Sequence, residues 1–394
     1  MKLGDIAKFS KGQGYSKSDL KETGHPIILY GRMYTKYRFA IDEVDTFANL
    51  KDSSILSEGN EIIMPSSGET PEDIACASAV LAKEIILGGD LNIMHFDLTK
   101  FSTSYIALVI TYGKTHHDLS KCAQGKSVVH LHNGAISKAI ITLPSLAEQQ
   151  AIASYFTSLD SQISASTSRL ASLKQMKAAS LQTMFPQEGE TVPKIRFQNN
   201  RWQKYKVGDL CDLLTGYPFP GDKILTKGKD LLMRGINITE GSIRHSNEID
   251  RYYNEDTIGL EKYRLQVGDL VIGMDGSKVG KNSALVTSKE KNSLLVQRVA
   301  RLRNEDKNLI KLIQIAVSSD NFIKYVEEMK TSSAIPHISP ADIRNFPLSL
   351  PEDSNERRLI ASYFTSLDRQ ISLQSQRLEK LKQIKSASLD KMFV

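Results

Sequence analysis

Five residues able to bind a metal fall within 17 positions of this chain: His116, His117, Cys122, His130 and His132. Imidazole and thiolate are zinc ligands, but zinc modules set them in close pairs at fixed spacings. These spacings fit no common module, so no metal is expected. The run Gly273-Met-Asp-Gly-Ser-Lys-Val-Gly-Lys-Asn282 has the glycines and lysines of a phosphate-binding loop. It misses the GxxxxGK[ST] spacing, and Asn282 stands where Ser or Thr would hold magnesium. A turn between two strands is the better expectation. No GxGxxG opens a helix, and no Asn-Pro-Pro-Tyr loop of the kind that holds a flipped base is present. No Ser-His-Asp or paired-carboxylate arrangement stands out. The sequence predicts no catalytic residue and no cofactor.

Recognition chemistry is better represented. Tyr30-Gly-Arg-Met-Tyr-Thr-Lys-Tyr-Arg38 interleaves three cations with three tyrosines. Arg32, Tyr34, Lys36 and Arg38 suit phosphate contact and base-edge readout of double-stranded DNA, and equally a solvated amphipathic strand. Met233-Arg-Gly-Ile-Asn237 holds the comparable place in the second half, where Arg234 could read guanine and Asn237 adenine. Three polar loops complete the candidates: Lys126, Ser127 and His130; Ser332 and His337; and Ser277 with Lys278 in the glycine-rich turn. Each would also serve as a plain connector. The formal net charge is +6, and no segment is strongly basic. Composition therefore permits nucleic-acid binding without requiring it.

The elements that must position these residues announce themselves by repetition. Residues 153–185 and 361–393 align without a gap, with 22 of 33 positions identical. Ser145 with Glu148, and Asp353 with Glu356, are two helix-starting capping boxes at the same 208-residue offset, each after a Leu-Pro pair. Between these starts and Pro186 or the last residues, Ile152, Phe156, Leu159, Ile163, Leu170 and Leu173 follow a 4-3 spacing interrupted at Ser166. Ile360, Phe364, Leu367, Ile371, Leu378 and Leu381 repeat it, interrupted at Gln374. Such a heptad seam belongs to a helix lying along another helix. Each helix of about 40 residues spans roughly 60 Å, and the natural partner of each is the other. Antiparallel pairing is expected, because parallel helices would crowd both domains at one end. Ile152 would then face the region of Leu381.

The expected organisation is a domain over 1–144, a long helix over 145–185, a connector over 186–205, a second domain over 206–350 and a second long helix over 351–394. Both domains read as mixed α and β, with short β-rich runs such as Glu61–Met64 and Gly268–Gly273. Faint echoes link them: Lys2-Leu-Gly-Asp-Ile6 with Lys206-Val-Gly-Asp-Leu210, and Val128–Leu131 with Ile335–Ile338. The fold class is thus α+β, two similar domains and two paired helices. A length of 394 residues, 40% apolar and 24% charged, suits two or three soluble domains. No apolar run nears the ~20 residues of a membrane span, and Asp5 interrupts any signal-peptide core. Cys76, Cys122 and Cys211 lie far apart without a CxxC, so a reduced, cytoplasmic setting is expected.

Two variable domains, each followed by a Leu-Pro pair and an "IASYFTSLD-QI" helix, resemble the specificity (S) subunit of type I restriction–modification systems. The resemblance covers the whole chain. It is carried by Leu143-Pro144, Glu148-Gln149-Gln150-Ala151-Ile152-Ala153, the Leu159-Asp160-x-Gln-Ile163 step, and their second-copy counterparts. It implies a non-enzymatic subunit with two target-recognition domains, each reading one half of a split DNA site, held apart by the helices. It further implies docking of two modification (methyltransferase) subunits, joined by restriction (translocase-nuclease) subunits, and no membrane. Tyr155 and Tyr363, Asp160 and Asp368, and Arg169 and Arg377, retained in both copies, are candidate docking contacts. The chain departs from an even repeat in one place: PKIRFQNNRWQKY leads into the second domain, while the first begins at once with KLGDI. Two other classes stay open, a coiled-coil scaffold without DNA readout and an enzyme with an unrecognised site.

Overall fold

The computed structural model describes every residue except 126–127, 188, 277–278, 330–336 and 394. The chain forms two compact units, Met1–Arg169 with Gln374–Val394, and Leu170–Leu373. The division falls within the long helices, so each helix contributes to both units and the domain boundaries drawn from sequence are not the boundaries of the compact bodies.

In the first unit, Ala7–Lys11, Leu91–Phe96, Glu61–Pro65, Ser78–Val80 and Ala40–Ile41 lie side by side in that order. All pairs are antiparallel except the last, with Phe9 opposite Met94 and Ile63 opposite Ile93. The central strands are apolar on both faces, as strands buried on both sides must be. Ile62, Met64 and Met94 face the helix Thr103–Thr111 and the long helices, while Ile63 and Ile93 face Ile28, Ile85 and Leu87 of a second sheet. That sheet holds His25–Ile28 parallel to Lys83–Leu87, with Ile27 opposite Ile86.

The second unit repeats the plan. Asp212–Thr215, Val299–Arg303, Leu270–Gly273 and Ser283–Leu285 form the same antiparallel order. Asp230–Met233 runs parallel to Leu294–Leu295 as His25–Ile28 does to Lys83–Leu87. Leu270–Gly273 and Ser283–Leu285, the strands that bracket the glycine-rich run, pair antiparallel with Ile272 opposite Ser283. The echo at Lys2 and Lys206 also becomes structure: Leu3–Ile6 and Val207–Leu210 are matching helical turns that bury Leu3 and Val207. Their glycines permit close approach. A Cβ on Gly4 would lie 3.0 Å from Ser137 O, and one on Gly208 3.0 Å from Arg344 Cβ. The lead-in peculiar to the second unit ends as a strand, Trp202–Lys206, paired with Pro347–Pro351. In the first unit a single Lys2–Ile140 bridge occupies that place.

The long helices run Leu146–Met184 and Ser354–Met392, 39 residues each. Both starts are capped: the Glu148 N–H donates to Ser145 Oγ at 3.4 Å and the Glu356 N–H to Asp353 Oδ1 at 2.8 Å. The reciprocal half of the predicted box is not formed. Glu148 stays exposed, and the fully buried Glu356 accepts from the Gln198 N–H at 3.3 Å. Within the first unit the helices pair antiparallel, Tyr155 Oη meeting Ser388 Oγ at 3.0 Å and the rings of Phe156 and Phe393 lying 5.9 Å apart. Within the second, Tyr363 meets Ser180 at 2.8 Å and Phe364 meets Phe185 at 5.8 Å. These are one set of contacts made twice at the 208-residue offset. Tyr155 therefore lies opposite Ser388, further along the second helix than the expected match of Ile152 with Leu381.

Phe156, Leu159, Leu173, Ile360, Phe364, Leu367 and Leu378 of the predicted seam are buried; Ile152, Ile163, Leu170, Ile371 and Leu381 are half-buried. Several of them serve the domain cores as well as the helix pair. Phe156 shares one core with Ile106 and Phe393, and Phe364 shares another with Ile313 and Met184. Each such phenylalanine contributes about 3–5 kcal/mol against truncation to alanine. The interruptions in the heptad are a buried polar layer, where Gln374 Nε2 donates to Ser166 O at 3.1 Å.

Candidate nucleic-acid interface

The tyrosine-cation segment is not a strand. Arg32–Thr35 forms a helical turn that buries Met33. Tyr37 turns inward, its hydroxyl donating to Ala77 O and Thr111 Oγ1 at 3.1 Å each, and burial pushes its phenol well above the usual value. Arg32 and Lys36 share the carboxylate of Asp45, and Arg38 pairs with Asp42 at 3.0 Å. Hydrogen bonds from Lys36 and then Arg32 hold Asp45 well below the usual carboxylate range. The three cations thus carry two carboxylates of their own. Tyr34 is half-buried beside Tyr30, ring centroids 6.4 Å apart.

In the second unit Asn237 is 1% exposed and cannot present its amide to a base edge. Its Nδ2 donates to Asp250 Oδ1 at 2.9 Å and Arg244 O at 3.3 Å, while its Oδ1 accepts from the Arg234 N–H. The adenine-reading role expected for Asn237 is corrected on this point: the side chain braces a turn. Arg234 itself is half-buried, with Nη1 3.4 Å from Ile249 O. Beside this turn His245 bridges Asp250 and Glu290 at 3.1 and 3.0 Å. Burial alone would raise Glu290, but hydrogen bonds from Thr287 and His245 outweigh it and hold the carboxyl below its ordinary value.

Both loop histidines are exposed and held at equivalent places. His130 lies opposite Ser67 in an antiparallel pair, its Nδ1 3.1 Å from Ser67 Oγ. His337 lies opposite Asp275 in an antiparallel bridge, its Nδ1 bonded to Asp275 Oδ1. The other oxygen of Asp275 accepts from Arg298 Nη1 at 2.5 Å. Lys126, Ser127, Ser277, Lys278 and Ser332 lie outside the described residues. Arg298 and Asp275 thus join His337 in one exposed polar cluster that no sequence motif singles out. His116 is used elsewhere, its Nδ1 3.2 Å from Ala75 O, and no group of metal-binding side chains gathers among the described residues.

The helix positions retained in both copies have partners within their own unit. Asp160 pairs with Lys385 at 2.5 Å in the first. In the second, Asp368 pairs with Lys177 and with the buried Lys311, both at 2.6 Å. Tyr155 and Tyr363 are hydrogen-bonded as above. Arg169 and Arg377 are exposed in both copies. No helix of the described residues is long and apolar enough to cross a membrane.

The family described as type I restriction modification DNA specificity domain matches the chain twice, over residues 1–175 and 199–383. No curated protein matches it by sequence. Among solved structures, the S subunit of a type I restriction-modification system from M. genitalium has a TM-score of 0.66 at 13% identity, covering 100% of this chain and 95% of that one. The HsdS subunit from Thermoanaerobacter tengcongensis has a TM-score of 0.48 at 15% identity, with coverage of 100% and 95%. At 13% identity the first likeness is one of fold.

Proposed function

The chain belongs to the type I restriction–modification DNA specificity family, and we propose that it reads one asymmetric, bipartite DNA site, each unit setting one half. It acts as the sequence-specificity subunit and performs no catalysis itself. The observation that carries this is the contrast between repeated and unrepeated parts. The helix contacts of Tyr155, Phe156 and Asp160 recur residue for residue at Tyr363, Phe364 and Asp368. The two units share one strand order yet differ in the side chains they expose. Like helices suit two copies of one partner, which we take to be two modification subunits, with restriction subunits joining them. Unlike domains suit two different half-sites. Arg169 and Arg377, exposed in both copies, are the favoured docking contacts.

Exchanging residues 206–350 for the same region of another family member tests the assignment. Mapping methylated positions in host DNA should show one half-site changed and the other intact. A map in which both halves change, or one continuous palindrome, would refute the bipartite assignment.

A further inference from the structure

Each unit builds the same backbone cradle around its loop histidine, and the two cradles display opposite charges. In the first unit the Ser66 N–H donates to Asp90 O at 2.7 Å, and the Leu131 N–H to Ser66 O at 3.0 Å. In the second the Met274 N–H donates to Arg298 O at 3.0 Å, and the Ile338 N–H to Met274 O at 2.9 Å. Ser66, Ser67 and Asp90 recur as Met274, Asp275 and Arg298 at the same 208-residue offset as the helices. Asp90 and Arg298 even share a left-handed backbone, φ 58° and 66°. Glycine would fill such a place without strain; Asp tolerates it, and Arg is disfavoured there. Nevertheless both positions carry exposed, charged side chains.

On the DNA-specificity function above, we propose that Asp90 and Arg298 are equivalent base-reading residues, one for each half-site. Arg298 offers a planar donor fork matched to guanine O6 and N7, and Asp90 an acceptor matched to the amine at cytosine N4. Asp275 is the positioning residue. One of its oxygens holds the Arg298 guanidinium, whose side chain is 68% exposed, and the other is fixed by His337. A guanidinium held by a carboxylate presents its free edge in one orientation, which bidentate readout requires. In the first unit His130 sits on Ser67 instead, and Ser66 Oγ lies 3.5 Å from Asp90 Oδ1. The same scaffold therefore presents a donor in one half and an acceptor in the other.

The test is selection from duplex pools randomised in each half-site, using the full chain with its modification subunits at fixed salt. Arg298→Gly and Asp90→Gly are the first variants, since the left-handed backbone suits glycine and the fold is spared. Arg298→Gly should cut the preference for guanine at one position of one half-site by about 10- to 100-fold and leave the other half unchanged. Asp90→Gly should do the same for cytosine in the other half. Asp275→Asn should weaken the guanine preference less than Arg298→Gly does, at the same position. Wild-type motifs retained by both glycine variants would overturn the assignment. So would uniform weakening with a salt slope reduced by about one, the sign of a phosphate contact. A wild-type complex that selected no motif would overturn the function itself, and this assignment with it.

Discussion

Asp160 and Asp368 occupy the same place in the two helix copies, yet their removal should differ sharply in cost. Asp160 answers one cation, Lys385, whose side chain is 22% exposed. Asp368 answers two, Lys177 and Lys311, and the Lys311 side chain is only 11% exposed. Counted from the N-caps Ser102 and Asp306, Ala107 holds the place of Lys311 in the first unit. Asp368→Ala leaves Lys311 charged inside the second unit with Gln314 Oε1, 2.9 Å away, as its remaining acceptor. Breaking a buried pair costs about 3–5 kcal/mol. Partial exposure of Asp368 and the surviving Gln314 bond reduce this to about 2–3 kcal/mol. Asp160→Ala leaves a lysine that can turn to water, at about 1 kcal/mol or less. Lys311→Met removes the buried charge while keeping apolar length, and should stay within about 1 kcal/mol of wild type. Trp202, the chain's single tryptophan, is buried in the second unit, so its fluorescence during urea unfolding follows that unit. At a slope of about 2–3 kcal/mol per molar, Asp368→Ala should lower the midpoint by about 1 M. Acid gives a second check. Burial alone would raise Asp368, but hydrogen bonds from Lys177 and Lys311 outweigh it and hold the carboxyl below its ordinary value. A depressed carboxyl stabilises fully above its unfolded value and loses that contribution as pH falls through the folded one. The gap between wild type and Asp368→Ala should therefore narrow below about pH 4. Equal shifts for the two aspartates, or a Lys311→Met loss as large as that of Asp368→Ala, would refute the reasoning.

Two further outcomes follow from local geometry. A Cβ on Gly113 would sit 1.6 Å from Phe393 O, at a backbone φ of +71°, so Gly113→Ala should destabilise the first unit by more than about 1 kcal/mol. Hydrogen exchange at Leu389–Phe393 would show it as faster opening. Burial pushes the Cys76 and Cys211 thiols up to about 12, while Cys122 is exposed. At pH 7.5 maleimide should label Cys122 first and the other two only on unfolding; equal labelling of Cys211, read by peptide mass mapping, would contradict its placement.

The long helices were legible because their signals are local: a capping side chain, a heptad seam and a stop. What escaped was whatever depends on a residue remote in sequence. Glu356 leaves its box because Gln198 comes to it, and Asn237 is consumed by Asp250, which no spacing rule links to base readout. Lys311 lies in the run Leu309–Val317 where periodicity marks a core-facing helix, and only Asp368 explains how its charge is kept. The shared domain fold was visible in two short echoes, since backbone hydrogen bonding preserved the strand order while side chains drifted. Even the core drifted: Arg301 pairs across the sheet with Val271 where Ile93 pairs with Ile63. The cradle residue Arg298 was invisible for the opposite reason, because one arginine in a turn carries no pattern until its backbone angle is known.

The first unit closes only with residues from the far end of the chain. Leu389 and Phe393 lie in its core with Phe156, and the Phe393 ring packs at a tilt against Tyr105 and Tyr112. During synthesis, therefore, the part made first cannot be completed first. The second unit, one continuous stretch from Leu170 to Leu373, has all its residues in hand while the first still lacks the helix segment from Gln374 onward. Domains generally fold in the order they leave the ribosome; here the stretch Leu170–Leu373 is complete before the residues that finish the first unit's core, Leu389 and Phe393, have been made.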